Sequence, residues 1–260
     1  MKVLVTLTEV AAVDTVFEID GLEIDDRYLS TDLNEWDEYA LEEAVQIVED
    51  RGGEVVTATI GPDGVEGTIR QALAKGADRA IRVWDDRLEE RTVLDPRTKA
   101  AVLEGVVTDE QPDLVVSGVQ SADEAFGATP TALAARLDWA WATVVNDLEL
   151  GSTTAQATRE LEGNLEEFVD VDRPAVLSIQ TGINEPRFAS LKDITQAQQA
   201  EIAVRSLADI GVGPDDLVAS IERTALYRPE QGGDATIYEG SPEETAKDLA
   251  AVIEETGVRQ

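Results

Sequence analysis

Glu54-Val-Val-Thr-Ala-Thr-Ile60 is followed by Gly61-Pro62-Asp63-Gly64, and then by Val65, Ile69, Ala72 and Leu73 at helical spacing up to Gly76. A β-branched run, a turn of glycine and proline, and an amphipathic period make one strand–turn–helix unit. The unit recurs on both sides. Upstream, Lys2–Leu7 reads as a buried strand, and residues 37–50 place Ala40, Leu41, Ala44, Val45, Ile47 and Val48 on one helical face. Asn34 or Thr31 is placed to cap that helix and Gly52-Gly53 to end it. Downstream come a strand at 79–83, a helix at 99–107, a strand at 113–117 and an Ala-rich helix at 125–136. Strand alternating with helix predicts an α/β fold with a mostly parallel sheet and crossover helices.

From Ala140 the rhythm shortens. Segments 143–150, 155–161, 165–171 (after Glu162-Gly163-Asn164) and 174–180 read as antiparallel additions to the sheet. Residues 194–206 read as a Gln/Ala-rich helix, 209–233 as loop, and 241–255 as a helix opened by Ser241-Pro242-Glu243-Glu244. A composition break near residue 190 divides the chain into an α/β domain, 1–190, and a C-terminal part, 191–260.

The 260 residues, 43% of them hydrophobic, suffice for a sizeable core. Against 21 basic residues stand 54 acidic ones, a formal charge of −33 spread along the whole length. Such a field repels nucleic-acid phosphates and anionic lipid, so neither is an expected partner. Only five of the basic residues are lysine, the look of a surface solvated in molar salt, where the Debye length is roughly 3 Å and self-repulsion is screened. The chain has neither cysteine nor histidine, which excludes disulfides, thiolate nucleophiles, the commonest general base and the commonest metal ligands. Met1-Lys2-Val3-Leu4-Val5 starts as a strand and not as a leader, and no run of eighteen apolar residues follows, which predicts a cytoplasmic protein without membrane insertion.

Ligands of open α/β sheets sit at the carboxyl ends of strands. Three segments fall there: 6–13, 34–37 with Ile60-Gly61, and 118–129. Gly118-Val-Gln-Ser-Ala-Asp-Glu-Ala-Phe-Gly-Ala-Thr129 follows a strand and opens a helix, so its N–H groups and the helix dipole offer a phosphate cradle without basic side chains. By itself, a glycine-bearing strand-to-helix turn is simply a connection. The absence of GxGxxG, GxxxxGK[ST] and GxSxG argues against dinucleotide dehydrogenases, P-loop NTPases and α/β-hydrolases. The neighbouring carboxylates Asp123–Glu124 and Glu42–Glu43 read as solvated pairs in so acidic a chain. Of Trp36, Trp84, Trp139 and Trp141, only Trp36 lies in a predicted ligand loop.

Asn184-Glu-Pro-Arg-Phe-Ala-Ser-Leu191, a polar loop leading to an apolar residue before a helix, strongly resembles the signature of the electron transfer flavoprotein beta subunit, here of haloarchaeal type. Four further stretches agree in order and spacing: 34–44, 68–81, 112–120 and 159–166. The resemblance spans roughly residues 1 to 210. It implies a Rossmann-like, adenine nucleotide alpha hydrolase-like sheet with a C-terminal arm that packs on a larger alpha subunit, which holds most of the FAD, and an AMP, or in electron-bifurcating relatives a second FAD, on this chain. Cofactor contacts carried over by position fall on Thr6, Asn34, Glu35, Trp36, Asp37, Ile60, Gly118, Gln120, Asp123, Glu124, Ala125, Phe126, Gly127, Ala128 and Thr129. The sequence departs from the family pattern at Ala125, Phe126, Gly127 and Ala128, and at Thr8 and Glu9, where basic residues are usual.

The same resemblance places partner recognition on Asn184, Glu185, Pro186, Arg187 and Leu191, with the leucine as an apolar anchor for acyl-CoA dehydrogenases. The implied role is that of an electron carrier, without catalytic residues or metal ligands, passing electrons from flavin dehydrogenases toward a membrane quinone oxidoreductase. Rival readings are a stand-alone adenine-nucleotide regulator of the universal-stress type and an ATP-pyrophosphatase-like enzyme. The latter needs a Ser-Gly-Gly loop where this chain has Thr6-Leu-Thr-Glu-Val10.

Overall fold

The structure is a computed structural model and describes residues 1–91, 93–163, 165–228 and 236–255. Its strands are β1 (Lys2–Leu7), β2 (Glu9–Val13), β3 (Ile19–Asp20), β4 (Glu23–Ile24), β5 (Leu29–Leu33), β6 (Glu54–Ile60), β7 (Arg79–Val83), β8 (Leu114–Gly118), β9 (Ala140–Leu150), β10 (Thr154–Leu161), β11 (Leu165–Asp172), β12 (Ala175–Ile179) and β13 (Ile202–Arg205). Its helices are α1 (Glu35–Arg51), α2 (Glu66–Ala74), α3 (Asp86–Glu89), α4 (Pro96–Glu110), α5 (Thr129–Leu137), α6 (Leu191–Ala197) and α7 (Pro242–Glu255).

Nine strands form one sheet in the order β11-β10-β9-β12-β8-β1-β6-β7-β13. From β9 to β13 every neighbouring pair is parallel. The strands that follow β1 go to one side as β6 and β7, then to the other as β8 and β12, so the direction of winding reverses at β1. Alternation along β1 builds two layers, because successive strand residues face opposite sides. Val3, Val5 and Leu7 pack with Ala40, Leu41, Ala44 and Val45 of α1, whereas Leu4 packs with Val102, Leu103 and Val106 of α4 and with Leu133 of α5. Each fully buried leucine of this kind contributes about 1.5–3 kcal/mol relative to exposure.

Four local expectations differ from the structure. Segment 174–180 becomes β12, which is parallel to both β8 and β9 and buried along its whole length, so only β10 and β11 add in antiparallel fashion. The predicted helix at 194–206 divides into α6 and β13, because Ile202-Ala-Val-Arg205 finds the open edge of β7. The Ala-rich helix starts at Thr129 and not at 125, since Ala125 and Gly127 take left-handed conformations (φ 52° and 59°) that no helix accepts. Finally, β2 and β5 pair antiparallel in a small separate sheet that lies within the expected 6–13 loop and its continuation.

The chain divides into two compact units, Met1–Leu226 and Tyr227–Gln260. The first runs past the composition break near 190 because β13 completes the sheet and because Leu207, Ile210, Val212 and Leu217 are buried in the α4 layer. The second contains α7, whose start is closed by Ser241 and Glu244: the Ser241 N–H donates to Glu244 Oε2 at 3.0 Å. Asn164 of the expected turn and residues 229–233 of the expected loop lie outside the described residues. Among the described residues no helix is long and apolar enough to cross a membrane.

Candidate functional site

The reversal at β1 leaves a crevice at the carboxyl ends of β1, β6 and β8, the place where doubly wound sheets bind ligands. Asn34 and Asp37 line it from the start of α1. They are three residues apart and so share a helical face, while Glu35 and Trp36 point elsewhere. Asn34 occupies the N-cap position without capping the helix. Its amide donates to the Gln120 carbonyl at 2.8 Å and accepts from the Ala122 N–H at 3.2 Å, fastening the 118–129 loop to α1. Asp37 is buried; one oxygen accepts the Gly118 N–H and the other the Thr8 N–H, both at 2.8 Å. Burial pushes its carboxyl up to about 6, against the downward pull of those two backbone donors. At Gly118 an added Cβ would lie 2.5 Å from Trp36 Cβ and 2.6 Å from Asp37 Oδ1, so α1 can sit this close only on glycine.

Thr6, Asn34, Asp37, Ile60, Gly118, Gln120, Asp123, Glu124, Phe126, Gly127, Ala128 and Thr129 line one cavity of about 390 Å³, inside the usual range for small-molecule sites. Three of the expected cofactor residues are not part of its lining. Glu35 and Trp36 lie on the wrong face of α1, and the Trp36 indole instead donates to Gln180 Oε1 at 3.2 Å. Ala125 is exposed on its left-handed turn. The tryptophan of the cavity is Trp84, directly after β7. The rule that pointed to β1, β6 and β8 applies to β7 as well and would have found it.

Lys99 and Arg91 also line the cavity, and nothing in the sequence marked them. Lys99 forms an ion pair with Glu124. Arg91 donates to the Leu217 carbonyl while its buried Nε has no partner among the described residues. The start of α5 opens on the same space at Ala128, Thr129 and Pro130 without a side-chain cap; Pro130 has no N–H, which leaves those of Thr129 and Thr131 available to an acceptor. Among the described residues five carboxylates border the cavity, yet four are engaged by the protein itself. Asp37 holds two N–H groups, Glu9 accepts from the Thr68 hydroxyl at 2.5 Å, Asp123 accepts from the Glu124 N–H at 2.7 Å, and Glu124 faces Lys99. Donors uncommitted at the helix start and on Arg91, beside the apolar walls of Ala58, Ile60, Leu103 and Phe126, suit a ligand with a flat apolar part and an anionic end.

The expected partner loop lies apart from this cavity, between β12 and α6. Asn184 donates to the Tyr39 carbonyl and to Glu43 Oε2, each at 3.1 Å. Arg187 binds Glu42 and Glu49 of α1. Burial pushes Glu42 up, and the Arg187 fork with the Gln46 amide more than offsets that, leaving it below its ordinary range. Glu42 is therefore a buried, paired carboxylate and not the solvated neighbour of Glu43 that the sequence implies. Glu185 is exposed and Pro186 half-buried. Phe188 and Leu191 are 99% and 85% exposed.

Fold and crevice together define a doubly wound, Rossmann-like α/β protein with a small-molecule cavity at its switch point. A family model described as electron transfer flavoprotein domain matches residues 21–210. The chain is 44% identical to the electron transfer flavoprotein subunit beta of Methylophilus methylotrophus, with 98% of each chain covered. It is 31% identical to that of Bacillus subtilis, covering 85% of each chain, and 34% identical to that of Sus scrofa, covering 86% of this chain and 85% of that one. The chain belongs to the electron transfer flavoprotein family, on its beta-subunit branch, and its work is electron transfer. Neither the stand-alone regulator nor the bifurcating variant is favoured by these relatives.

Proposed function

We propose that this chain is the beta half of a cytoplasmic heterodimer, in a salt-loving cell, and has no catalytic activity of its own. The alpha subunit holds most of the FAD, which supplies the redox chemistry when bound. Residues 191–260 supply the recognition helix and a C-terminal arm that packs on that subunit. The cavity at the switch point holds AMP: the start of α5, Arg91 and Lys99 take the phosphate, and Ala58, Ile60, Leu103 and the rings of Trp84 and Phe126 surround the base. The volume of about 390 Å³ favours a mononucleotide over a second FAD. The observation that carries the reading is the convergence of an uncapped helix start and two cations on a cavity whose carboxylates are largely engaged elsewhere.

Electrons come from acyl-CoA dehydrogenases and go on to a membrane quinone oxidoreductase. Segment 184–191, with Asn184, Glu185, Pro186, Arg187 and Leu191, docks the donor; it presents the exposed apolar side chains of Phe188 and Leu191, which suits a small, fast-exchanging contact. The test is anaerobic mixing of the heterodimer, in molar salt, with an acyl-CoA dehydrogenase and its substrate. Bleaching of the flavin band that requires the dehydrogenase is the expected result. A complex reduced by dithionite but not by the dehydrogenase would overturn the assignment of the donor.

A further inference from the structure

We propose that Arg187 is a positioning residue that sets the docking loop on α1 as a rigid platform, through a two-armed clamp onto Glu42 and Glu49. The inference rests on the reading of segment 184–191 as the docking element and goes beyond it, because the Arg187 guanidinium is bonded to α1 on both sides. Its Nε and Nη2 donate to the two oxygens of Glu42 at 2.8 and 3.0 Å, and its backbone N–H adds a third bond to the same carboxylate at 3.1 Å. Its Nη1 and Nη2 donate to Glu49 at 2.7 and 3.1 Å. The fork is thus engaged on both sides, a bidentate geometry that lysine cannot reproduce.

Glu42 and Glu49 are seven residues apart on α1, two turns of one face, so the guanidinium spans the helix along its length. The Glu42 side chain is 6% exposed, which shields this arm from the screening that weakens exposed pairs in salt. Asn184 fastens the other end of the same segment to α1 through the Tyr39 carbonyl. One residue beyond the clamp, Phe188 is 99% exposed, and Leu191 follows at 85%. Large apolar side chains this exposed cannot be held by burial, so their direction is set by the polar anchors behind them. Ordering a loop before contact removes entropy otherwise lost on docking.

The experiment compares variants of the whole heterodimer as acceptor for a reduced acyl-CoA dehydrogenase. Arg187→Met is expected to raise the KM for the flavoprotein about tenfold while kcat, flavin content and the rate of reduction by dithionite stay unchanged. Arg187→Lys should behave like Arg187→Met, because the charge remains but the fork is gone. Leu191→Ala serves as the reference for docking itself. If Leu191→Ala raises KM while Arg187→Met does not, the clamp is not a positioning device and the docking reading stands. If Leu191→Ala has no effect either, the docking reading fails and this inference with it. Glu42→Gln keeps the volume but removes the charge of the shielded arm, and decides the matter in the same way should Arg187→Met not assemble.

Discussion

Asp37 Oδ1 accepts the backbone N–H of Gly118 at 2.8 Å, joining the first turn of α1 to the carboxyl end of β8. With its other oxygen on Thr8, the same carboxylate ties together the strand ends on both sides of the switch point. It forms a wall of the cavity and is fully committed to holding the cavity's shape.

Protonation of Asp37 follows from that burial. Its native carboxyl is raised from the ordinary 3.8 to about 6, so the folded chain holds this proton more tightly than the unfolded chain does. The contribution of this group to stability is therefore greatest at low pH and is lost as pH rises through about 6. At about 1.4 kcal/mol per pH unit it amounts to about 3 kcal/mol. Denaturation of wild type and Asp37→Asn in molar salt should show the wild type gaining relative to the variant as pH falls from about 6 toward 3.8. A constant gap between the two would show that Asp37 does not titrate there.

Gly118→Ala places a methyl against Trp36 Cβ and Asp37 Oδ1 at distances no real Cβ adopts. The expected cost is about 1–3 kcal/mol of stability, with loss of bound nucleotide because the 118–129 loop shifts. Calorimetric melting together with nucleotide extraction checks both parts.

Lys99→Met removes one of the two cations bordering the cavity and leaves Glu124 without its partner. A charged hydrogen bond is worth about 1.5–3 kcal/mol, so affinity for AMP should fall about tenfold or more. Calorimetric titration of nucleotide-stripped heterodimer measures it, and adenosine should be affected far less, since it lacks the phosphate.

With a formal charge of −33, the fold should gain stability as salt screens self-repulsion. Thermal melting in a KCl series is expected to move upward steadily from about 0.1 M to about 1 M, over which the Debye length falls from roughly 10 Å to 3 Å. A midpoint independent of salt would remove the case for adaptation to high salt.

The parallel core was legible because each of its elements carries a local signal. The β-branched run of β6, the turn at Gly61-Pro62-Asp63-Gly64 and the apolar face of α1 need no tertiary context. What depended on context was missed. Ile202-Ala-Val-Arg205 becomes a strand only because the edge of β7 is open beside it, and β12 becomes parallel only because it inserts between β8 and β9. The site divides in the same way. Asn34 and Asp37 were visible from their place before a helix, but which of residues 34–37 face inward depends on the helical phase, and that phase excludes Glu35 and Trp36. Arg91 lies before the periodic stretch of α4, and Lys99 lies in the first turns of that helix, whose period marks only its apolar face, so the fold alone brings the two to the crevice. The Arg187–Glu42 pair, 145 positions apart, leaves no trace in a single sequence.

The most direct measurement is the nucleotide content of the heterodimer purified after co-expression with an alpha subunit in molar salt, released by denaturation and separated chromatographically. The account predicts a yellow complex yielding one FAD and one AMP, with the AMP lost in Gly118→Ala. A colourless homodimer, or a flavin-bearing heterodimer that yields no second nucleotide, would contradict it.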